Sequence, residues 1–270
     1  MKKYHLIAGL PRSGSTLLSA ILNQNPKFHA SVTSPLQHYV DDVIRGTYYD
    51  FGYKALINDE KMKKIIEGLF NSYHYDIDKE ICFNTGRTWV TLFNQISHIF
   101  PNTKIICTVR DVVEVVNSFE LLYLKNPLNV STIYGPYRDD KGGHSPSFHH
   151  QNVYTRTIHI SNLIESCLMG LRELYFGPNK KSMFLIEYND LCKSPSETMN
   201  KLYDFLEQPK FDHNFNQIES NFDEYDIALN ANNMHKVRQK IELNKKDLIL
   251  PDDIIARFRN KEFWRKTRFT

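Results

Sequence analysis

The sequence predicts an α/β fold in three layers: a central parallel sheet of four to five strands with helices on both faces. Three observations carry that expectation. The apolar run Tyr4 to Ala8 passes directly into Gly9-Leu10-Pro11-Arg12-Ser13-Gly14-Ser15-Thr16 and then into Leu17 to Leu22, a strand, a glycine-containing loop and a helix. Further short apolar runs, each followed by a helical pattern, recur along the chain, and that alternation builds parallel sheets. Gly9, Arg110 and Tyr188 all fall at the C-terminal ends of such runs, where open α/β sheets take their ligands.

The remaining elements follow in chain order. A helix is predicted from Pro35 to Arg45 and another from Glu60 to Tyr73, ahead of a strand from Ile81 to Asn84. Val90 to Ile99 reads as helix, and Pro101 separates it from Lys104 to Val109, an apolar, β-branched run of buried-strand type. Val112 to Leu124 is helical, with Val112, Val115, Val116 and Phe119 along one face. From Asn126 to Gln151 the chain is irregular, broken by Pro127, Gly135-Pro136, Gly142-Gly143 and Pro146. A long helix from Val153 to Phe176 is closed by Gly177-Pro178, and a strand follows from Ser182 to Tyr188. Ser194 as cap and Pro195 in the first turn open a helix that ends at Leu206. No internal repeat is present, so the expectation is one domain over residues 1–270 with an insertion at about 126–151.

Composition narrows the partners. A chain of 270 residues with 41% hydrophobic and 24% charged residues buries a large core and is ordinary for a globular enzyme. A net charge of +3 without a long Lys/Arg run argues against nucleic acid, whereas a few basic residues focused on one pocket suit a small anion. No stretch approaches 18 apolar residues, so no membrane span is expected. Met1-Lys2-Lys3 and the short apolar run after it run straight into the loop, and read as a first core strand of a cytoplasmic protein. Cys82, Cys107, Cys167 and Cys192 show no metal spacing and read as buried free thiols, with no metal expected.

The loop at 9–16 carries the chemistry. A strand–loop–helix junction aims unpaired backbone N–H groups and the positive end of a helix dipole at one point, and so binds phosphate-like anions. Gly9, Gly14 and Thr16 match G-x-x-x-x-G-K-[ST], which makes the fold P-loop-like, but Ser15 stands in the lysine position and the cation is Arg12. A nucleotide-hydrolysing loop uses that lysine on the β- and γ-phosphates. A P-loop kinase or NTPase therefore stays as an alternative that would still need a phosphate lysine and an acidic Mg²⁺ ligand.

Pro11 to Leu18 resembles the 5′-phosphosulfate loop of sulfotransferases, enzymes that move a sulfuryl group from 3′-phosphoadenosine-5′-phosphosulfate (PAPS) to a hydroxyl or amine and release adenosine 3′,5′-bisphosphate (PAP). Two further blocks follow in the family's order. Arg110 closes the strand Lys104 to Val109, and Ser118 stands eight residues on, similar to the family's 3′-phosphate clamp. A guanidinium fork with a hydroxyl suits a dianionic phosphate. Ser182 to Leu191 is similar to the strand that ends in Tyr-Glu-Asp-Leu, which implies Tyr188 beside the adenine, with Asn189 where the family has Glu. Met234 to Lys240 resembles a late segment of bacterial-type relatives and implies Arg238 at the donor. The likeness is dense over residues 4–33 and 104–206 and thin after about 210. It implies a PAPS site made of Arg12, Ser13, Gly14, Ser15, Thr16, Leu17, Arg110, Ser118, Tyr188 and Arg238.

The resemblance implies Arg12, with the loop amides, in stabilising the leaving phosphate. It leaves the general base open. Phe83-Asn84-Thr85-Gly86-Arg87 stands where cytosolic relatives carry Lys-Thr-His, has neither Lys nor His, and resembles a bacterial Phe-Asp-Thr-x-Arg-x-Trp block. Asn84 is an amide and no base, so Arg87 becomes the second catalytic candidate. Thr33 occupies the position of a catalytic Glu in the tyrosylprotein branch. His38, His149 and His150 remain as bases, with His38 carried forward. The missing base keeps a catalytically silent PAPS- or PAP-binding protein open. The acceptor is expected to be a small molecule, carbohydrate or peptide. Residues 126–151, with Tyr134, Tyr137, Arg138, His144, His149 and His150, are expected to cover it.

Overall fold

The computed structural model describes residues 2–49, 51–125, 127–128, 131, 133, 152–219, 223–229, 231–243 and 245–266. Five strands form one all-parallel sheet: β1 (Lys3–Gly9), β2 (Phe28–Ala30), β3 (Ile81–Thr85), β4 (Ile105–Val109) and β5 (Met183–Glu187), in the order β2-β3-β1-β4-β5. β1 is central. The chain leaves it toward β2 and β3 on one side and returns to β4 and β5 on the other, so the crevice of this doubly wound sheet opens outside the ends of β1 and β4. Gly9 pairs with Thr108 and Val109 with Glu187, which brings the loops after β1, β4 and β5 to one edge.

The helices are α1 (Ser15–Leu22), α2 (Leu36–Tyr49), α3 (Phe51–Leu56), α4 (Asp59–Tyr73), α5 (Trp89–Ile99), α6 (Val112–Lys125), α7 (Val153–Phe176), α8 (Tyr188–Lys193), α9 (Pro195–Leu206), α10 (Asp223–Ala228), α11 (Asp252–Phe258) and α12 (Phe263–Lys266). The period-2 alternation of the strands sorts the core into two layers. Tyr4, Leu6, Ala8, Cys82, Ile105, Cys107 and Val109 face the cluster built with α5, α6 and α7. Ile7, Ile81, Phe83 and Ile106 face the opposite cluster with α1 and α9. All four cysteines are buried free thiols, as expected.

Several elements differ from the sequence expectation. β2 has three residues, too few for a readable alternation, yet Phe28 and Ala30 are buried against β3. β5 ends at Glu187, so Tyr188 opens a short helix instead of ending the strand. The segments 126, 129–130, 132 and 134–151, which hold most of the expected acceptor cover including His149 and His150, lie outside the described residues. No helix among the described residues is long and apolar enough to cross a membrane.

Candidate active site

The loop after β1 is built by its two glycines. Gly9 has φ +113, and a Cβ there would stand 2.1 Å from the Thr108 carbonyl oxygen on β4. Gly14, at φ +96, caps α1, and a Cβ there would stand 2.8 Å from Cδ2 of Tyr188. Only a residue without a side chain fits either place without strain. Arg12 itself adopts φ 57, a left-handed conformation uncommon for a residue with a side chain. The first turn of α1 carries no acidic residue and no side-chain cap, so its N–H groups and dipole face the cavity uncompensated.

That cavity, about 1280 Å³, opens at the crevice between β1 and β4. Arg12, Gly14, Ser15, Thr16 and Leu17 line it from the loop and α1, Arg110 and Ser118 from β4 and α6, Tyr188 from α8, Arg87 from the turn after β3, and Arg238 from the late segment. Ten of the residues singled out in the sequence thus line this cavity. Nε of Arg12 donates to Oγ of Ser118 at 3.2 Å, and its Nη1 donates to the Met234 carbonyl. Arg110 pairs with Glu114 at 2.8 Å and stacks its guanidinium 4.5 Å from the Tyr188 ring centroid. Burial first, then Cys192, pushes the Tyr188 phenol up to about 12, so it is held as a neutral hydroxyl. Gln37 on α2 accepts from the N–H and hydroxyl of Thr88 at 3.2 and 2.8 Å, and so pins the turn that presents Arg87.

Some expected residues are placed elsewhere. Ser13 is buried, and its hydroxyl lies 2.5 Å from the Leu10 carbonyl, 2.9 Å from the Thr108 carbonyl and 2.8 Å from Thr108 Oγ1. It shapes the loop from inside and leaves only its backbone for a ligand. His38 is exposed on α2 and, like Thr33, does not line the cavity. Asn84 is fully buried beneath the sheet edge. It donates to Ser34 Oγ at 3.0 Å and accepts from Trp89 Nε1 at 3.1 Å, which is a packing role.

The late chain contributes more than the sequence suggested. Residues 233–242, 245–247 and Ile249 line one wall of the cavity, a strap held by Asn117, which donates to the Asp247 carbonyl and accepts from the Ile249 N–H, both at 2.9 Å. The strap adds Lys236, Lys240, Lys245 and Lys246 to the arginines. Burial, then the charges of Arg12, Lys125, Arg110 and Arg238, lower the Lys246 pKa, a mark of cations gathered about one space. The strap also places His235 on the wall, with Nδ1 2.6 Å from Oδ1 of Asp226. The sequence signal for these residues was only the basic run Met234 to Lys240, since Asp226 and His235 lie nine apart on no common periodic face.

Comparison with known proteins identifies the family. The model of the family described as the sulfotransferase family matches residues 6–213. No curated protein sequence matches the chain. Among solved structures, a sulfotransferase from Alicyclobacillus acidocaldarius is similar in fold with a TM-score of 0.51 at 12% identity, covering 79% of this chain and 84% of that one. The sulfotransferase domain of the Synechococcus PCC 7002 olefin synthase gives 0.45 at 17% identity over 78% and 76%. Mouse sulfotransferase SULT7A1 complexed with PAP gives 0.40 at 17% identity over 78% and 59%.

Proposed function

The chain belongs to the sulfotransferase family, and from that premise we propose that it takes its sulfuryl group from PAPS, holds the donor in the cavity between β1 and β4, and transfers to an acceptor hydroxyl or amine. One observation carries the donor assignment: the loop, Arg110, Ser118 and Tyr188 converge on one cavity although they lie up to 176 residues apart, from Arg12 to Tyr188. The donor set fits. A dianionic 3′-phosphate matches the guanidinium of Arg110, the hydroxyl of Ser118 and the guanidinium of Arg238. A phosphosulfate matches the loop amides at the start of α1 together with Ser15 and Thr16. PAPS supplies an activated sulfuryl group on a good leaving phosphate.

The chain's own residues then have distinct tasks. Arg12 and the loop N–H groups stabilise charge that grows on the departing phosphate oxygen, an interaction strongest in the transition state. Gly14 lets the loop approach the edge of Tyr188 closely, and the Arg110 guanidinium lies over the Tyr188 ring. Arg87 lines the same cavity from the β3 side, and in this reading it meets the sulfuryl oxygens or the acceptor. Ser15 in place of the phosphate lysine speaks against a kinase or NTPase. Buried free thiols suit a reducing, cytoplasmic setting. Isothermal calorimetry with PAP, ADP and ATP tests the reading. PAP is expected to bind at least about tenfold more tightly than ADP, because only PAP carries the 3′-phosphate. Equal affinity for PAP and ADP would overturn it.

A further inference from the structure

Resting on the sulfotransferase reading, we propose that His235 is the general base that takes the acceptor's proton, and that Asp226 is its positioning residue. The pair stands apart from every base the sequence offered. His235 and Asp226 are 6% and 2% exposed, so neither is a solvated surface side chain. Asp226 grips His235 twice: Oδ2 accepts the His235 backbone N–H at 2.8 Å and Oδ1 faces Nδ1 at 2.6 Å. A carboxylate can only accept there, so Nδ1 carries the hydrogen and the lone pair resides on Nε2. Among the described residues Nε2 has no hydrogen-bond partner, and His235 is one of the residues that line the cavity.

Location ties the ring to the chemistry. Met234, its chain neighbour, accepts from Arg12, so the imidazole is anchored beside the arginine of the phosphosulfate loop. The charged groups that face it are Asp226 from α10, Arg12 from the loop after β1 and Arg87 from the turn after β3, with the Tyr225 ring at 5.5 Å. Burial lowers the His235 pKa from the ordinary histidine value, Asp226 opposes that, and Arg87 and Arg12 add to it. A neutral, oriented imidazole is the form a base requires.

The step balances without a further reactant. As the acceptor oxygen bonds to sulfur, its proton passes to Nε2 of His235. The bond from sulfur to the bridging oxygen breaks, and its electron pair leaves on the 5′-phosphate of PAP. The imidazolium that results is stabilised by Asp226.

Sulfate release from ³⁵S-labelled PAPS, with water as acceptor, tests this on the full chain without knowledge of the natural acceptor. His235→Asn keeps a donor toward Asp226 and is expected to lower single-turnover release by about 10²-fold or more. PAP affinity by calorimetry should stay within about threefold. Asp226→Asn should lower release less and move the acid limb of the pH profile to lower pH, a change that a purely structural carboxylate would not produce. A second reading needs no turnover: the ¹⁵N shifts of the His235 ring in the PAP complex should show Nδ1 protonated and Nε2 bare. Release within a few-fold of wild type in His235→Asn, or a proton on Nε2, overturns the assignment while leaving the donor site intact. Failure of PAP to bind the unaltered chain would instead overturn the sulfotransferase reading beneath it.

Discussion

Gly14 is the place where one methyl group decides the donor loop. Its φ of +96 and the 2.8 Å approach of a built Cβ to Tyr188 act together, so Gly14→Ala should cost about 1–3 kcal/mol of local strain. That strain should appear mainly as lost PAP affinity in calorimetry, with the urea midpoint moved much less; unchanged affinity would show that Tyr188 yields freely. Arg110→Ala should weaken PAP by roughly 30- to 1,000-fold and ADP far less, since a charge-assisted contact to the 3′-phosphate contributes about 2–4 kcal/mol. Arg12→Ala should instead lower kcat by about 10²-fold with a smaller change in donor affinity, read from saturation kinetics; a mutant that raises only KM would assign Arg12 to binding alone. These residues were legible because a glycine forced by geometry and a cation beside it leave a fixed spacing in the chain. His235 was not, because its meaning depends on Asp226 across a turn, and a lone histidine has no local signature. The packing role of Asn84 was not legible either, because its buried bond to Ser34 comes from a segment 50 residues away.

At the scale of elements, the short α12 acts as a clasp on the donor edge. Glu187, the last residue of β5, accepts from Trp264 Nε1 and Arg265 Nε, each at 2.7 Å. Arg265 also reaches Asp111 beside Arg110 at 3.3 Å, and Glu262 accepts the N–H of Val112 at 2.7 Å at the start of α6. The clasp thereby joins the ends of β4 and β5 and the helix that carries Ser118. Arg265→Ala leaves the buried Glu187 carboxylate with Trp264 as its remaining partner from the clasp, so a loss of about 1–3 kcal/mol is expected in urea unfolding. Because Tyr188 follows Glu187 directly, PAP affinity should fall by about three- to tenfold as well; a stability loss with PAP affinity untouched would reduce the clasp to a scaffold. The 24-residue α7, closed by Gly177-Pro178, and β4, a continuous apolar, β-branched run, were readable from the chain. β2, α8, α10 and α12 have three to six residues, fewer than two full periods of their own patterns, and only tertiary packing fixes them. The described residues of the strap at 233–249 form neither helix nor strand, yet Asn117 on α6 holds it along the cavity.

For the molecule as a whole, one sheet divides two apolar cores and concentrates an almost neutral chain's cations at a single edge. The chain carries a net +3, while Arg12, Arg87, Arg110, Arg238 and the strap lysines share one cavity, so charge placement rather than total charge makes the site. The core itself contains a group whose titration bears on acid stability. His5 lies in β1, 4% exposed, and its Nδ1 accepts the Lys104 N–H at 3.1 Å, which only an unprotonated nitrogen does. Burial, then Lys104 and Lys3, pushes its pKa down to about 4. The unfolded chain binds a proton at His5 near the ordinary value of about 6.5. Between those limits the unfolded state holds more protons than the native state, so stability is complete above about pH 6.5 and falls as pH drops toward 4. The loss attributable to His5 should be about 2–3 kcal/mol across that window. Urea midpoints at half-unit steps from pH 7.5 to 4.5 measure it. His5→Gln, which keeps a polar side chain but cannot titrate, is expected to start less stable and to show a flatter slope over the same range. Parallel pH profiles for the two proteins would mean that the central strand tolerates a charged His5, and that acid stability is set elsewhere.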